Sequence, residues 1–155
     1  MYQRIFDIEH KLDEAMFLFG ARQTGKSTLL KERFRDAIYY DLLNPSVRKA
    51  LKLNPNTLWE ALQDKPAGTL VIVDEIQKVP ELLDVVHSLM VDRGLFFILS
   101  GSSARKLKRS GANTLGGRAI PETLYPLVWP GNHISYLELY ACILLPISIK
   151  MRIWR

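Results

Sequence analysis

Between Ala15 and Thr28 the chain reads AMFLFGARQTGKST, and this stretch leaves few folds open. Ala15 to Phe19 is a short apolar run with the length and composition of a buried strand. Gly20 follows, then four residues, then Gly25, Lys26 and Ser27, which completes the pattern G-x-x-x-x-G-K-[ST]. Glycine admits backbone angles closed to other residues, so successive N–H groups from Gly20, Ala21, Arg22, Gln23, Thr24 and Gly25 can turn inward on an anion. A helix opening near Gly25 and running through Lys26, Ser27 and Thr28 adds the positive end of its dipole. At this spacing Lys26 reaches the β- and γ-phosphates of a nucleotide, and the Ser27 hydroxyl ligates Mg²⁺. The competing reading is a plain glycine turn between two core elements.

Two later apolar runs end in residues that complete such a site. Thr69 to Val73, TLVIV, leads directly into Asp74 and Glu75, the Walker B pattern. A strand buried on both faces carries its last residues to the carboxyl edge of a parallel sheet, where ligands bind. Asp74 there holds Mg²⁺, mostly through its water shell, so the metal set is Ser27 and Asp74. Glu75 is placed to take a proton from the water that attacks the γ-phosphate. Leu95 to Leu99, LFFIL, ends in Ser100-Gly101-Ser102-Ser103. A hydroxyl at that strand tip, Ser100 first, can orient the attacking water; Ser102 reads equally as a sensor or as a helix N-cap.

Helices connect these strands. Leu29, Leu30 and Phe34 recur at helical spacing after the glycine loop, with Lys31, Glu32 and Arg33 outward. Ala37 to Leu42 has the composition of a strand. Asn44-Pro45-Ser46 starts a helix through Leu51 or Leu53, and Asn54-Pro55-Asn56 starts another. Pro80 to Asp92 is amphipathic, with Leu82, Leu83, Val86, Leu89 and Met90 on one face and Gly94 past its end. His87 in that helix has no second His or Cys at ligand spacing and reads as a surface or interface residue. Ile120 to Leu127 offers a last short strand.

Composition adds bounds. With 155 residues, 48% hydrophobic and 24% charged, the chain has the make-up of one ordinary globular domain. Its +5 charge is moderate, compatible with anionic partners and equally with simple solubility. Cys142 is the single cysteine, so no intramolecular disulfide forms, which fits a reducing cytoplasm. The charged N-terminus lacks a secretory h-region, and Leu139 to Ile147 is too short to span a bilayer, so no membrane partner is expected. Arg105, Lys106, Lys108 and Arg109, with Arg118 after a Gly-Gly pair, form the clearest basic concentration. Nucleic acid is one partner it suits; a solvated face is the other reading. From Val128 to Arg155 an apolar, partly alternating tail has no evident place in the nucleotide fold, and self-association into a homo-oligomer is expected through it.

With the loop, the acid pair, the Ser-Gly-Ser strand end and Gly-Gly-Arg in hand, the chain resembles the AAA-type P-loop ATPase domain of a bacterial and archaeal family. That family carries a C-terminal DUF4143 domain. The matching stretches are GARQTGKSTLL, TLVIVDEIQKVPELL, FFILSGSSARKL, LGGRA and ETLYPL. The resemblance implies an α/β three-layer sandwich with a mostly parallel sheet of AAA/ASCE-like order, in which the strand ending at Ser100 lies between the loop strand and the acid strand. It implies catalytic roles for Glu75, Lys26, Ser100 and Arg118, the last as a charge-stabilising arginine. It covers residues 1–127; the tail, 128–155, departs from the family's continuation and reads as truncated or atypical. The function expected is ATP binding with Mg²⁺-dependent hydrolysis that drives a conformational switch. A nucleotide-dependent DNA- or protein-binding module with little turnover is the alternative. A small-molecule kinase comes third, because Glu75 would activate water where a kinase must not.

Overall fold

Side-chain alternation along the strands decides the layers of this molecule. The structure, a computed structural model, describes residues 15–102, 115 and 119–124. The apolar run is β1 (Ala15–Phe19), and the glycine loop leads into α1 (Lys26–Arg33). Then come β2 (Ile38–Asp41), α2 (Pro45–Leu53), α3 (Asn56–Leu62), β3 (Leu70–Asp74), one 3-10 turn (Ile76–Lys78), α4 (Leu82–Arg93), β4 (Phe96–Gly101) and β5 (Ala119–Thr123). The strands form one sheet in the order β2-β3-β4-β1-β5, and all four neighbouring pairs are parallel. The strand ending at Ser100 therefore does lie between the loop strand and the acid strand.

Successive side chains of a strand point to opposite faces. Phe17, Val71, Val73, Phe97 and Leu99 go to one side, where they meet Leu51, Leu58, Leu62, Leu82, Leu83, Val86 and Leu89 of α2, α3 and α4. Leu18, Ile72 and Ile98 go to the other and meet Leu30 of α1. The result is helix, sheet, helix: a three-layer α/β sandwich. Parallel strands covered on both faces read as continuous apolar runs, which is why TLVIV and LFFIL stood out in the sequence. Each fully buried leucine such as Leu30 contributes about 1.5–3 kcal/mol by leaving water. β5 is an edge strand, and this lets it carry Pro121, which cannot donate to a ladder.

Element boundaries differ from expectation in instructive places. Asn44 caps α2 as anticipated, accepting the Ser46 N–H at 3.0 Å, and Asn54 does the same for Asn56 at 3.1 Å ahead of α3. Gly94, at φ 62, closes α4 in the left-handed conformation. The start of α4 moves from Pro80 to Leu82, because Leu82 and Leu83 N–H bond to Val79 and Pro80 carbonyls in a preceding turn. β4 continues two residues past Leu99, so Ser100 and Gly101 are strand residues. The N-terminal segment, the cluster from Arg105 to Arg109, Arg118, Cys142 and the tail lie outside the described residues. Among the described residues no helix is long and apolar enough to cross a membrane.

Candidate nucleotide-binding site

The sheet brings three strand ends together at its carboxyl edge. β1 and β4 are in register through Phe19↔Gly101, and β2 and β3 through Asp41↔Asp74. The Gly20 N–H donates to the Gly101 carbonyl at 3.2 Å. The loop, the acid pair and the Ser-Gly-Ser end are thus neighbours.

The two motif glycines are required for different reasons. Gly25 sits at φ 81 with open space where a side chain would go, so its need is conformational. At Gly20 a Cβ would lie 2.4 Å from the Leu124 carbonyl oxygen, so there the need is room for another backbone. Gln23 is also left-handed, at φ 64. Such left-handed residues within a turn build an anion-binding concavity of backbone N–H groups. The first N–H groups of α1 have no helical carbonyl to bond and face the same region.

Lys26 is 5% exposed. Its Nζ donates to the Gly20 carbonyl at 2.8 Å and to the Ala21 carbonyl at 2.9 Å, and Thr24 Oγ1 donates to the same Ala21 carbonyl at 2.9 Å. The loop is folded around its own lysine, with two of three ammonium donors used and one left for an anion. Arg22, Gln23 and Thr28 are exposed on its outer surface.

Asp74 is 1% exposed and receives three hydroxyls. Ser27 Oγ donates to Oδ2 at 2.5 Å and Tyr39 Oη to the same oxygen at 2.6 Å. Ser100 Oγ donates to Oδ1. Ser100 also accepts the Glu75 N–H at 3.4 Å, so one buried serine fixes both acids. The donor set is hard oxygen, Ser27 and Asp74 side by side, which fits Mg²⁺. Among the described residues there is no group of three or more His, Cys, Asp or Glu that would suit another metal.

Glu75 is at φ 62, 8% exposed, and its carboxylate accepts from Gln77 Nε2. That amide also donates to Ser102 Oγ at 3.2 Å.

Sequence reasoning named Lys26, Ser27, Asp74, Glu75 and Ser100, and the fold assembles all five. Arg118 is outside the described residues. Tyr39 and Gln77 were missed. Tyr39 sat in a strand with no motif, and only the β2–β3 pairing brings it to Asp74. Burial, then the bond and charge of Asp74, push its hydroxyl above the usual phenol range. Gln77 follows Glu75 by two residues, and its reach depends on a 3-10 turn that carries no sequence signal.

A strand–glycine loop–helix whose serine is linked to an aspartate on a parallel strand of the same sheet, with one strand between them, defines a P-loop nucleotide-binding domain of ATPase type. The model of the AAA domain family matches residues 12–130, and the chain belongs to that family. An uncharacterised protein of Methanocaldococcus jannaschii is 29% identical, over 79% of this chain and 28% of its own length, so the chain spans under a third of that relative. Among solved structures, Drosophila ORC bound to poly(dA/dT) DNA and Cdc6 aligns with TM-score 0.39 and 8% identity, over 75% of this chain and 26% of that one. Drosophila ORC bound to GC-rich DNA and Cdc6 aligns with TM-score 0.38 and 12% identity, over 74% and 25%. Likeness at this level bears on neither function nor partners.

Proposed function

We propose that this chain binds ATP with Mg²⁺ at the carboxyl edge of the sheet and hydrolyses it, using the cycle to switch conformation. The observation that carries the reading is the 2.5 Å bond between Ser27 and Asp74 beside the buried Lys26. Two oxygens that must share one metal are already adjacent. Bound Mg²⁺ supplies charge neutralisation across the β- and γ-phosphates. Lys26 spends its remaining N–H on those phosphates. Ser27 and Asp74 are the residues that would hold the metal, Asp74 mostly through its water shell. Glu75 accepts a proton from water as the water oxygen bonds to the γ-phosphorus and the bridging P–O bond breaks. Ser100 keeps the two acids in fixed relation, and a hydroxyl at the tip of β4 orients the water. Arg118 completes the charge in this reading. Kinship with the ATPases that carry a C-terminal DUF4143 domain, a cytoplasmic setting, DNA contact through the cluster from Arg105 to Arg109, and oligomerisation through the tail belong to the same proposal.

Phosphate release by the purified chain, alone and with DNA, beside Glu75→Gln, tests it. The expected result is Mg²⁺-dependent turnover that Glu75→Gln loses while still binding ATP. Equal turnover in that variant removes Glu75 from the role of base. Tight ATP binding with no turnover in the wild type would favour the binding-module alternative.

A further inference from the structure

Glu75 is fastened once to β4 and once to the residue that follows it, and the second fastening has no part in holding phosphate or metal. Its backbone N–H donates to Ser100 Oγ. Its carboxylate is held by Gln77, whose Nε2 also donates to Ser102 Oγ. Both N–H groups of the amide are then committed. Gln77 Oε1 is buried without a hydrogen-bond partner among the described residues. Turning the amide over would set Oε1 against the Glu75 carboxylate, two acceptors face to face, so the observed orientation is the one the network allows. An unsatisfied buried oxygen is unfavourable, and the two donated bonds are what keep the side chain there.

Gly101 supplies the seat. A Cβ on Gly101 would lie 2.7 Å from Gln77 Oε1, while Gly101 is not among the positive-φ residues. Its lack of a side chain therefore serves the neighbouring amide and not a special backbone angle.

We propose that Gln77 is a positioning residue that ties the Glu75 carboxylate to the tip of β4 through Ser102, so that the carboxylate moves only with that strand end. The inference rests on Glu75 being the base and deepens that reading by naming what places it. Gly101 is the complementary part: a methyl there meets the flexible end of Gln77 first, with Phe19 Cδ1 next at an ordinary contact distance of 3.7 Å.

Two measurements on the full chain test this. In ¹⁵N-labelled protein without nucleotide, the side-chain amide signal of Gln77 is assigned by its loss in Gln77→Ala. It should shift in Ser102→Ala and in Gly101→Ala. In turnover, Gln77→Ala and Gly101→Ala should each lower kcat by about 10- to 100-fold, the loss typical of a misplaced reacting group, with the Kd of a fluorescent ATP analogue unchanged. The Gln77→Ala/Gly101→Ala double variant should be no slower than Gln77→Ala alone. An amide signal unmoved by both substitutions overturns the proposal. So does a wild-type kcat in Gln77→Ala while Glu75→Gln is inactive, and this leaves the ATPase reading standing. Additive losses in the double variant also overturn it. A Glu75→Gln variant as active as wild type, or a wild type without turnover, removes the base assignment and the proposal with it.

Discussion

Replacing Tyr39 by Phe removes one oxygen and tests how the metal carboxylate is held. The ring keeps its place: Lys31 Nζ lies 4.8 Å from its centroid, a contact that Phe retains. What is lost is the 2.6 Å bond to Asp74 Oδ2. Bonds to charged groups contribute about 1.5–3 kcal/mol. Asp74 keeps Ser27 and Ser100 as donors, so no oxygen is orphaned and the loss belongs near the low end, about 1.5 kcal/mol. At about 2–4 °C per kcal/mol for a chain of this size, the midpoint should fall by about 3–6 °C. The pH dependence has a definite sign. The folded-state value of Tyr39 lies above the ordinary 10.0, so below about pH 10 both states hold the proton and the contribution is constant. Above it the unfolded phenol ionises first, and stability drains away at up to about 1.4 kcal/mol per pH unit. Denaturant titrations of both proteins between pH 8 and 11 measure this as a difference, which cancels other groups. A variant as stable as wild type at pH 8, or one whose alkaline slope matches, refutes the reasoning.

Lys26→Ala strips the charge from the loop and removes the side-chain donor of the Gly20 carbonyl, while the Ala21 carbonyl keeps Thr24 Oγ1. ATP affinity should fall about 10- to 100-fold in a fluorescent-nucleotide titration. Asp74→Asn should leave nucleotide binding in EDTA close to wild type and abolish most of the gain that Mg²⁺ gives, read from paired titrations. Leu30→Ala opens a cavity in the smaller core on the α1 side of the sheet and should cost about 2–5 kcal/mol by denaturant unfolding.

Much of this arrangement could be read from the chain because its causes are local. The glycine loop, the strand runs TLVIV and LFFIL, the Asn44 cap and the Gly94 stop each declare themselves within a few residues. The site residues were legible for the same reason: Lys26, Ser27, Asp74 and Glu75 sit at fixed offsets from strands. Tyr39 and Gln77 were not. Tyr39 reaches Asp74 because two strands thirty-odd positions apart pair in a particular register. Gln77 reaches Ser102 because Glu75 adopts a left-handed angle that its residue type does not announce. Even Gly20, recognised from its motif, owes its place to something the motif does not mention.

That last contact has a mechanical meaning. The Leu124 N–H donates to the Phe19 carbonyl at 2.6 Å, and the Leu124 carbonyl presses on Gly20 where any side chain would intrude. The rim of the loop and the end of β5 are therefore packed backbone against backbone. A side chain at position 20 could be accommodated only by moving the backbone at Leu124, so the first glycine of the loop and the end of β5 tolerate change only together.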